Sequence, residues 1–431
     1  MHFLFRVGIL FLIVFNFRVP FLYNTAFVTI AICSIYYFIT RKRILFTFFF
    51  QRYTFVILLA TVVLAFIVSF IGYIHNTEFL PVRAKRIWVE LMMLWSVIYA
   101  MPLLVEGKES SAHEEIILII CYAFAIQGII SLAAYLYDPL AQFLIELKPD
   151  SIKFGEAEDS LDNRFRFLNL SGIVLVELAA AYGVALIAFY WLMLNSNHKY
   201  LRGWKKFAVL FFLLIGTSFA GRTGFIGFVM GFSVWLFFSL KKILIIFQKN
   251  FLYLTVSVLI VLFSYYFLLS GGQREAFNNE LFPFAFEWYY NYQSYGKFSI
   301  GSMEATPDHY FTIFDETLYS GHGIDAYGGG TKYRHSDAGY MNTLVYGGIP
   351  FLFSLIVYQS LYTIRPLDIS IKNFTRNNRI NFMFFLLLFA YIFIVEIKTA
   401  AVGYMHIVEV LYIAIGSSYV MQYYTQKKKT A

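Results

Sequence analysis

The chain has 431 residues, of which 59% are hydrophobic and only 14% are charged. Soluble domains carry about 25% charged residues. Apolar segments of about 20 residues, each long enough to cross a bilayer, recur from one end of the chain to the other. This composition excludes a soluble globular protein and predicts a helical protein that crosses a membrane many times.

Twelve apolar segments are predicted to span the membrane. In chain order they cover residues 3–17, 21–39, 53–74, 87–105, 116–137, 167–194, 206–220, 223–240, 251–269, 340–362, 381–397 and 402–421. We therefore predict an all-α integral membrane protein of about twelve transmembrane helices, organised as a single polytopic domain over residues 1–431.

Lys and Arg in the short loops predict the orientation, because basic residues favour cytoplasmic loops. Basic residues cluster at 41–52, 199–206, 241–249, 365–379 and 427–429, and with twelve spans all of these clusters fall on one side. Both termini are then cytoplasmic. The largest segment on the opposite side is the loop at 270–339, between spans nine and ten.

The sequence Ala220-Gly221-Arg222-Thr223-Gly224 joins two of the shorter apolar segments. A guanidinium is costly to bury at the end of an apolar run. Its planar fork suits a phosphate, and the flanking glycines permit a sharp turn and a close backbone approach to a ligand. Arg222 is therefore either an anion-binding residue or the snorkelling arginine of an ordinary hairpin.

Two other basic groups have the same two interpretations. Arg164 and Arg166 alternate with phenylalanines just before a predicted span, either as anion ligands or as an interfacial anchor. Arg83 and Arg86 fall on the external side against the charge rule, either as a tolerated deviation or as a basic patch for phosphate.

The long external loop ends in Arg334-His335-Ser336-Asp337. Histidine ionises near neutral pH, so His335 can accept a proton, and Asp337 can orient it or act as the base itself. His309 and His322 lie in the same loop, but the spacings match no metal-site signature, and we predict no metal and no cofactor.

Ionisable residues also fall inside predicted spans. They are Glu177, Glu396, Lys398, His406 and Glu409. Such residues are functional candidates by default, although pairing between helices explains them equally well. They keep a proton-coupled transporter or polysaccharide flippase open as an alternative, against which the concentration of Arg and His in external loops argues.

Taken together, the order of these features resembles the O-antigen polymerase (Wzy) and O-antigen ligase superfamily. The residues that carry the resemblance are Gly221-Arg222-Thr223-Gly224, the turn Gly321-His322-Gly323, and His335 to Tyr340 entering a span that continues to Gly347-Gly348. Arg164 to Asn169 resembles a further arginine-containing stretch of that family.

The resemblance implies a metal-independent glycosyltransferase of GT-C-type architecture in the bacterial inner membrane. Its substrates would be oligosaccharides on undecaprenyl pyrophosphate, and its partners the lipid membrane, a chain-length-regulating co-polymerase and the flippase of the same pathway, with no nucleic acid. A serine and an aspartate follow His335 where the ligase branch tends to have another His or Asn, which favours polymerase over ligase.

The residue roles follow from the same resemblance and from the chemistry of the side chains. Arg222 matches the family's phosphate-binding arginine, Arg164 and Arg166 compete for the upstream arginine, and His335 matches the histidine near the acceptor hydroxyl. The residues expected to bind pyrophosphate are Arg222, Arg164, Arg166, Arg334, Arg83 and Arg86. Trp288, Tyr289 and Tyr340 are expected to contact sugar rings, or else to form a small loop core.

Overall fold

The computed structural model describes residues 3–19, 22–40, 51–76, 82–147, 168–170, 175–195, 198–240, 271–276, 278–279, 283, 287–296, 306–313, 316–323, 336, 338–372, 376–398 and 406–430. These residues are predominantly helical, as expected for apolar segments in lipid, where every backbone polar group must find a partner within the segment. Two very short strands, Arg18–Val19 and Leu22–Asn24, pair at the turn between the first two helices.

The longer helices follow the predicted segments. They are α1 (Phe3–Phe15), α2 (Thr25–Thr40), α3 (Arg52–Asn76), α4 (Val82–Leu104), α5 (Ala112–Leu136), α6 (Asp138–Glu146), α7 (Leu175–Asn195), α8 (Lys205–Ala220), α9 (Thr223–Ser239), α10 (Gly271–Ala276), α11 (Glu287–Tyr295), α12 (Thr317–Ser320), α13 (Gly339–Lys372), α14 (Arg376–Lys398) and α15 (His406–Thr430). Short 3-10 turns occur at Glu109–Ser111, Lys199–Leu201 and Thr306–His309. Eleven of the twelve predicted segments coincide with a helix, and the remaining one, 251–269, lies outside the described residues.

Six helical stretches in the described part of the chain are long and apolar enough to cross a membrane. They are Arg52–His75, Arg83–Leu104, Glu109–Leu136, Val176–Asn195, Gly339–Lys372 and Asn378–Lys398. Shorter apolar helices cover Phe3–Phe15, Thr25–Thr40 and Thr223–Ser239. The chain is therefore an α-helical protein of transmembrane character, whereas twelve spans, a GT-C-type architecture and the large loop at 270–339 stay predictions.

Two predicted boundaries are wrong. The segment predicted to span from residue 167 is not helical at Leu168–Leu170, and its helix begins at Leu175. The segment predicted from residue 21 begins with a strand, and its helix starts only at Thr25. Asn24 lies directly before the helix that starts at Thr25, a position where asparagine is preferred over the helix interior.

Close contacts divide the chain into two compact units. The first comprises residues 1–14, 24–116 and 300–431, and the second comprises residues 15–23 and 117–299. In the first unit, α13 packs against α3, α14 and α15, while α4 packs against α2, α3 and α15. In the second unit, α7 packs against both α8 and α9.

Tyrosine hydroxyls link the helices of the first unit. The Tyr53 hydroxyl donates to the carbonyl of Tyr362 at 2.6 Å, and the Tyr346 hydroxyl donates to the carbonyl of Val68 at 2.9 Å. Tyr412 donates to the Leu388 carbonyl at 2.5 Å. A helical carbonyl has a second lone pair free for such a bond, and a hydroxyl inside lipid needs an acceptor. These bonds fix neighbouring helices without placing a net charge in the core.

Candidate functional site

The predicted site residues fall into three groups. Arg164, Arg166, Arg334, His335 and Asp337 lie outside the described residues. Arg83, Arg86 and Tyr340 belong to the first unit, whereas Arg222, Trp288 and Tyr289 belong to the second. The described residues therefore form two partial sites, one in each unit.

In the second unit, Arg222 lies at the turn between two apolar helices. Gly221 ends α8 with a φ of 146° and donates its N–H to the carbonyl of Thr217 at 2.9 Å. That φ lies in a region that favours glycine, which explains the residue before the arginine. Arg222 then occupies the N-cap position of α9, where the helix dipole adds positive potential.

Glycine at the other side of Arg222 has a packing role. A Cβ at Gly224 would come within 2.6 Å of Thr217 Cγ2 and 2.7 Å of the carbonyl oxygen of Ala179. Gly224 is therefore required for the close contact of α9 with α7, and its predicted part in the approach of a ligand stays a prediction. The neighbouring turn at Gly221 is the part that shapes the surroundings of the guanidinium.

Arg222 forms an ion pair with Glu287, and both side chains are partly exposed. Glu287 is the first residue of α11, the helix that carries the aromatic sequence predicted to contact sugars. Tyr289 on that helix is exposed, and its hydroxyl accepts a hydrogen bond from Gln293 at 2.7 Å. The structure thus brings Arg222, which is predicted to bind phosphate, next to the helix that is predicted to bind sugars. Trp288 lies in the same helix, but the structure does not describe its side chain.

In the first unit, the start of α13 is held by the residues that precede it. Ser336 is fully buried, and its hydroxyl donates to the carbonyl of His309 at 2.8 Å and accepts from the N–H of Ala338 at 3.2 Å. Asn342 donates from its side-chain amide to the carbonyl of Ser336 at 2.6 Å. Ser336 lies between His335 and Asp337 in the sequence, and it is the residue of that motif whose position the structure describes.

A bend in α13 receives the Gly321-His322-Gly323 turn. Gly348 has a non-helical φ of 68°, and Pro350 has no N–H to give to the carbonyl of Tyr346. The backbone N–H of His322 donates to the carbonyl of Val345 at 2.7 Å, and that of Gly323 to Tyr346 at 2.9 Å. The turn therefore satisfies carbonyls that the bend leaves open.

The glycines at this contact cannot carry side chains. A Cβ at Gly321 would lie 2.3 Å from the carbonyl oxygen of Tyr346, and one at Gly348 would lie 2.6 Å from backbone atoms of Tyr319. Both residues also have positive φ. The paired glycines in the first turns of this span thus have a physical explanation, which is the docking of the loop onto the helix.

Arg83 lies inside the first unit, and only 1% of its surface is exposed. Its guanidinium donates to the hydroxyl of Thr343 at 3.1 Å and lies 5.0 Å from the centre of the Tyr346 ring and 5.2 Å from that of Phe351. Contact with aromatic faces stabilises a desolvated cation by about 2 kcal/mol. Arg83 is thus buried against the start of α13, and its predicted role in an external basic patch stays a prediction. Arg86, the other arginine predicted for that patch, is half-buried.

Two tyrosines bond to the backbone of α14. Tyr340 lies in the first turn of α13, and Tyr310 follows the 3-10 turn Thr306–His309. Tyr310 donates to the carbonyl of Ile397 at 2.7 Å, and Tyr340 donates to that of Phe393 at 3.3 Å. Burial raises the pKa of the Tyr310 hydroxyl, and the nearby carboxylate of Glu396 raises it further. Tyr340 is half-buried and makes this helix contact, so its predicted contact with a sugar stays a prediction.

A groove of about 540 Å³ in the first unit lies away from this region. It is lined by Gln51, Arg52, Tyr53, Val56, Leu361, Ile364, Arg365, Val420 and Tyr424. Arg52 starts α3, and Arg365 lies near the far end of α13, on the side predicted to be cytoplasmic. The groove is therefore distinct from the residues predicted to act on a substrate.

Sequence reasoning missed the buried Glu90, which lies in a predicted span and meets His406 and Glu409 in the structure. A single Glu in an apolar run was the signal that could have found it.

Comparison of the chain with known proteins adds no assignment, because no protein-family profile, curated protein or solved structure matches it.

Proposed function

We propose that the chain polymerises undecaprenyl-pyrophosphate-linked oligosaccharide repeat units into O-antigen or a related surface polysaccharide. In this proposal it acts as a glycosyltransferase at the periplasmic face of the bacterial inner membrane, with cytoplasmic termini, about twelve spans and GT-C-type architecture. The transmembrane character of the chain supports the membrane location of a lipid-linked substrate.

The observation that carries the proposal is the ion pair between Arg222 and Glu287. The pair places a carboxylate at a guanidinium in a turn between apolar helices, directly beside an exposed aromatic helix. A pyrophosphate group offers more negative charge and more acceptor oxygens than a carboxylate, so it can displace Glu287 from Arg222. The sugar attached to that pyrophosphate would then lie near the exposed tyrosines of α11.

The proposed reaction breaks one bond and forms one bond. A hydroxyl of the acceptor sugar attacks the anomeric carbon of the donor, and the bond between that carbon and the pyrophosphate oxygen breaks. His335 or Asp337 removes the hydroxyl proton, and undecaprenyl pyrophosphate leaves with the bonding electrons. Arg222, assisted by Arg164 or Arg166, stabilises the negative charge that develops on the leaving group. Removal of the proton by the base contributes a further factor of about 10²–10⁴ to the rate.

The anchoring of Ser336 supports the role given to its neighbours. A base must be held within hydrogen-bond reach of the proton that it removes. Ser336 is fixed by three hydrogen bonds to residues before and after it. Ser336, which lies between the two proposed base residues in the sequence, is therefore itself held in a defined position.

Substitution of Arg222 tests the proposal. We expect Arg222→Ala to abolish long polymer and leave single-repeat product, because loss of one preorganised charge-stabilising group costs about 10²–10³ in rate. Arg222→Lys should restore only part of the ladder, since an ammonium lacks the planar fork. Arg202→Ala, at an exposed residue on the predicted cytoplasmic side, is the matched control.

The measurement is a polysaccharide gel of a deletion strain complemented with each variant, with membrane insertion verified by immunoblotting. His335→Ala should also reduce the ladder to single repeats or nearly so. Normal ladders from an inserted Arg222→Ala variant would contradict the mechanism. In the deletion strain, complete polymer that is not joined to lipid A core would instead identify a ligase, and accumulation of cytoplasmic-facing intermediates would identify a flippase.

A further inference from the structure

Three ionisable side chains from two helices meet in the core of the first unit. Glu90 comes from α4, and His406 and Glu409 come from α15, where their spacing places both on one helix face. One ligand atom from each of the three residues lies within 4.8 Å of the others. Glu90 and Glu409 are 0% exposed and His406 is 8% exposed.

The charges of this cluster require compensation. One carboxylate oxygen of Glu90 and one of Glu409 lie within 4.8 Å of each other. Two carboxyl groups that share a buried site either hold a proton between them or need a nearby cation, which is a protonated His406 or a metal ion. A divalent cation would neutralise both carboxylates at once.

His406 supplies the observation that favours a metal over a shared proton alone. Its Nδ1 atom is buried, makes no hydrogen bond among the described residues, and lies 3.8 Å from Glu90 Oε2. That separation is too long for a hydrogen bond. Two ligands of one tetrahedral zinc, each about 2.0–2.1 Å from the ion, are roughly 3.3 Å apart, so a small side-chain adjustment accommodates the ion between these atoms.

A second layer of side chains orients the carboxylate. The Tyr358 hydroxyl donates to Glu90 Oε1 at 2.5 Å. The same hydroxyl lies 2.9 Å from Thr61 Oγ1 and 2.6 Å from the Tyr362 hydroxyl. Hydrogen bonds of this kind hold metal-binding carboxylates in place and tune their affinity.

We propose that Glu90, His406 and Glu409 bind one divalent first-row transition-metal ion, with Zn²⁺ the best match. One imidazole nitrogen and two carboxylate oxygens are ligands that Zn²⁺ accepts, and together they balance its charge. The ion links α4 to α15. Glu90 lies two helical turns beyond Arg83, about 10 Å along the axis, and the metal proposal is independent of the proposed glycosyl transfer.

The test is metal binding by the purified full-length chain in detergent. The protein is stripped with a chelator, loaded with Zn²⁺, passed through gel filtration in the presence of a weak chelator, and analysed by elemental mass spectrometry. We expect one tightly bound zinc per wild-type chain. His406→Ala and Glu409→Gln should each weaken zinc binding at least 10-fold, and Tyr358→Phe should weaken it about 10-fold.

Glu396→Gln is the matched control, because Glu396 is equally buried and its carboxylate accepts a hydrogen bond from Gln359 at 3.1 Å. This variant should retain one zinc. Thermal unfolding of the wild-type chain with and without Zn²⁺ provides a second measurement that needs no variant, and we expect zinc to raise the melting temperature.

Two results would overturn the proposal. One is a wild-type chain that retains no zinc and whose melting temperature does not respond to it, which leaves the two carboxyl groups sharing a proton. The other is equal zinc retention by wild type, His406→Ala and Glu409→Gln, which would place the metal elsewhere in the chain.

Discussion

The two compact units show two means of holding helices together in different proportions, since the second unit also has a tyrosine-to-carbonyl bond, from Tyr182 to Phe124 at 3.2 Å. In the second unit, α9 lies directly on α7 through glycines, and a Cβ at Gly227 would come within 2.3 Å of the carbonyl oxygen of Gly183. In the first unit, tyrosine hydroxyls bond to the carbonyls of neighbouring helices, and ionisable side chains are buried between them. Lipid is as apolar as leucine, so close packing and polar bonds are the available sources of helix association. Only the second means places chemically active groups inside the bundle.

The glycine contact should be the most sensitive to added volume. We expect Gly227→Leu to prevent recovery of folded protein, because backbone atoms that cannot move aside occupy the space, at a cost above about 3 kcal/mol. Yield and gel-filtration profile in detergent are the measurements. Gly8→Leu is the control, since nothing lies within 4 Å of a Cβ at Gly8, and a normal profile for Gly227→Leu would refute the packing argument.

Arg83 tests whether the buried charge of the first unit serves stability or function. Arg83→Ala should destabilise the protein by about 3 kcal/mol, since it leaves a cavity beside Thr343, whereas Arg83→Met should stay within about 1 kcal/mol of wild type. Thermal unfolding in detergent measures both. A stable Arg83→Met variant that makes no long polymer would support a contact between this guanidinium and the substrate, and one with normal polymer would remove Arg83 from the proposed site.

A single tyrosine bond between helices should have a smaller effect. Tyr412 is buried and donates to the carbonyl of Leu388 at 2.5 Å. Tyr412→Phe should therefore lower the free energy of unfolding by about 1 kcal/mol. Tyr319→Phe, at a residue that is 70% exposed, should change it by much less. Equal effects at the two positions would show that these hydroxyl bonds do not stabilise the unit.

The smallest expected effect depends on pH. Burial and Glu396 raise the pKa of Tyr310 above its ordinary value of about 10. The folded state therefore holds this proton more tightly than the unfolded state, and the stability that it contributes below pH 10 is lost as the pH rises towards the folded pKa. Tyr310→Phe should cost about 1 kcal/mol at neutral pH, and its difference from wild type should shrink above pH 10. A constant difference across that range would contradict the assignment.

Sequence periodicity and composition predicted most of the helices, because long apolar runs leave the backbone no alternative in lipid. The boundaries that failed, at Leu168–Leu170 and at Leu22–Asn24, contain polar residues that apolar averaging passes over. The span predicted to end at residue 362 continues to Lys372, since its last turns are less apolar but still helical.

The candidate sites were predictable only in part. Arg222 and the aromatic helix were both identified from the sequence, but their contact through Glu287 depends on tertiary structure. Glu90 was overlooked because a lone carboxylate carries no pattern until His406 and Glu409 are brought next to it from a distant helix. Gly348 was noted in the sequence as part of a glycine pair, whereas its close contact with the backbone of Tyr319 required coordinates.

The anchoring of both Gly323 and Ser336 to α13 has a practical use. Each of these residues bonds to the same helix, one at the bend and one at its first turn. An epitope inserted between residues 324 and 335 would lie, in the sequence, between these two anchored residues. Antibody access to that epitope in intact and permeabilised cells would then report on which side of the membrane this end of α13 lies.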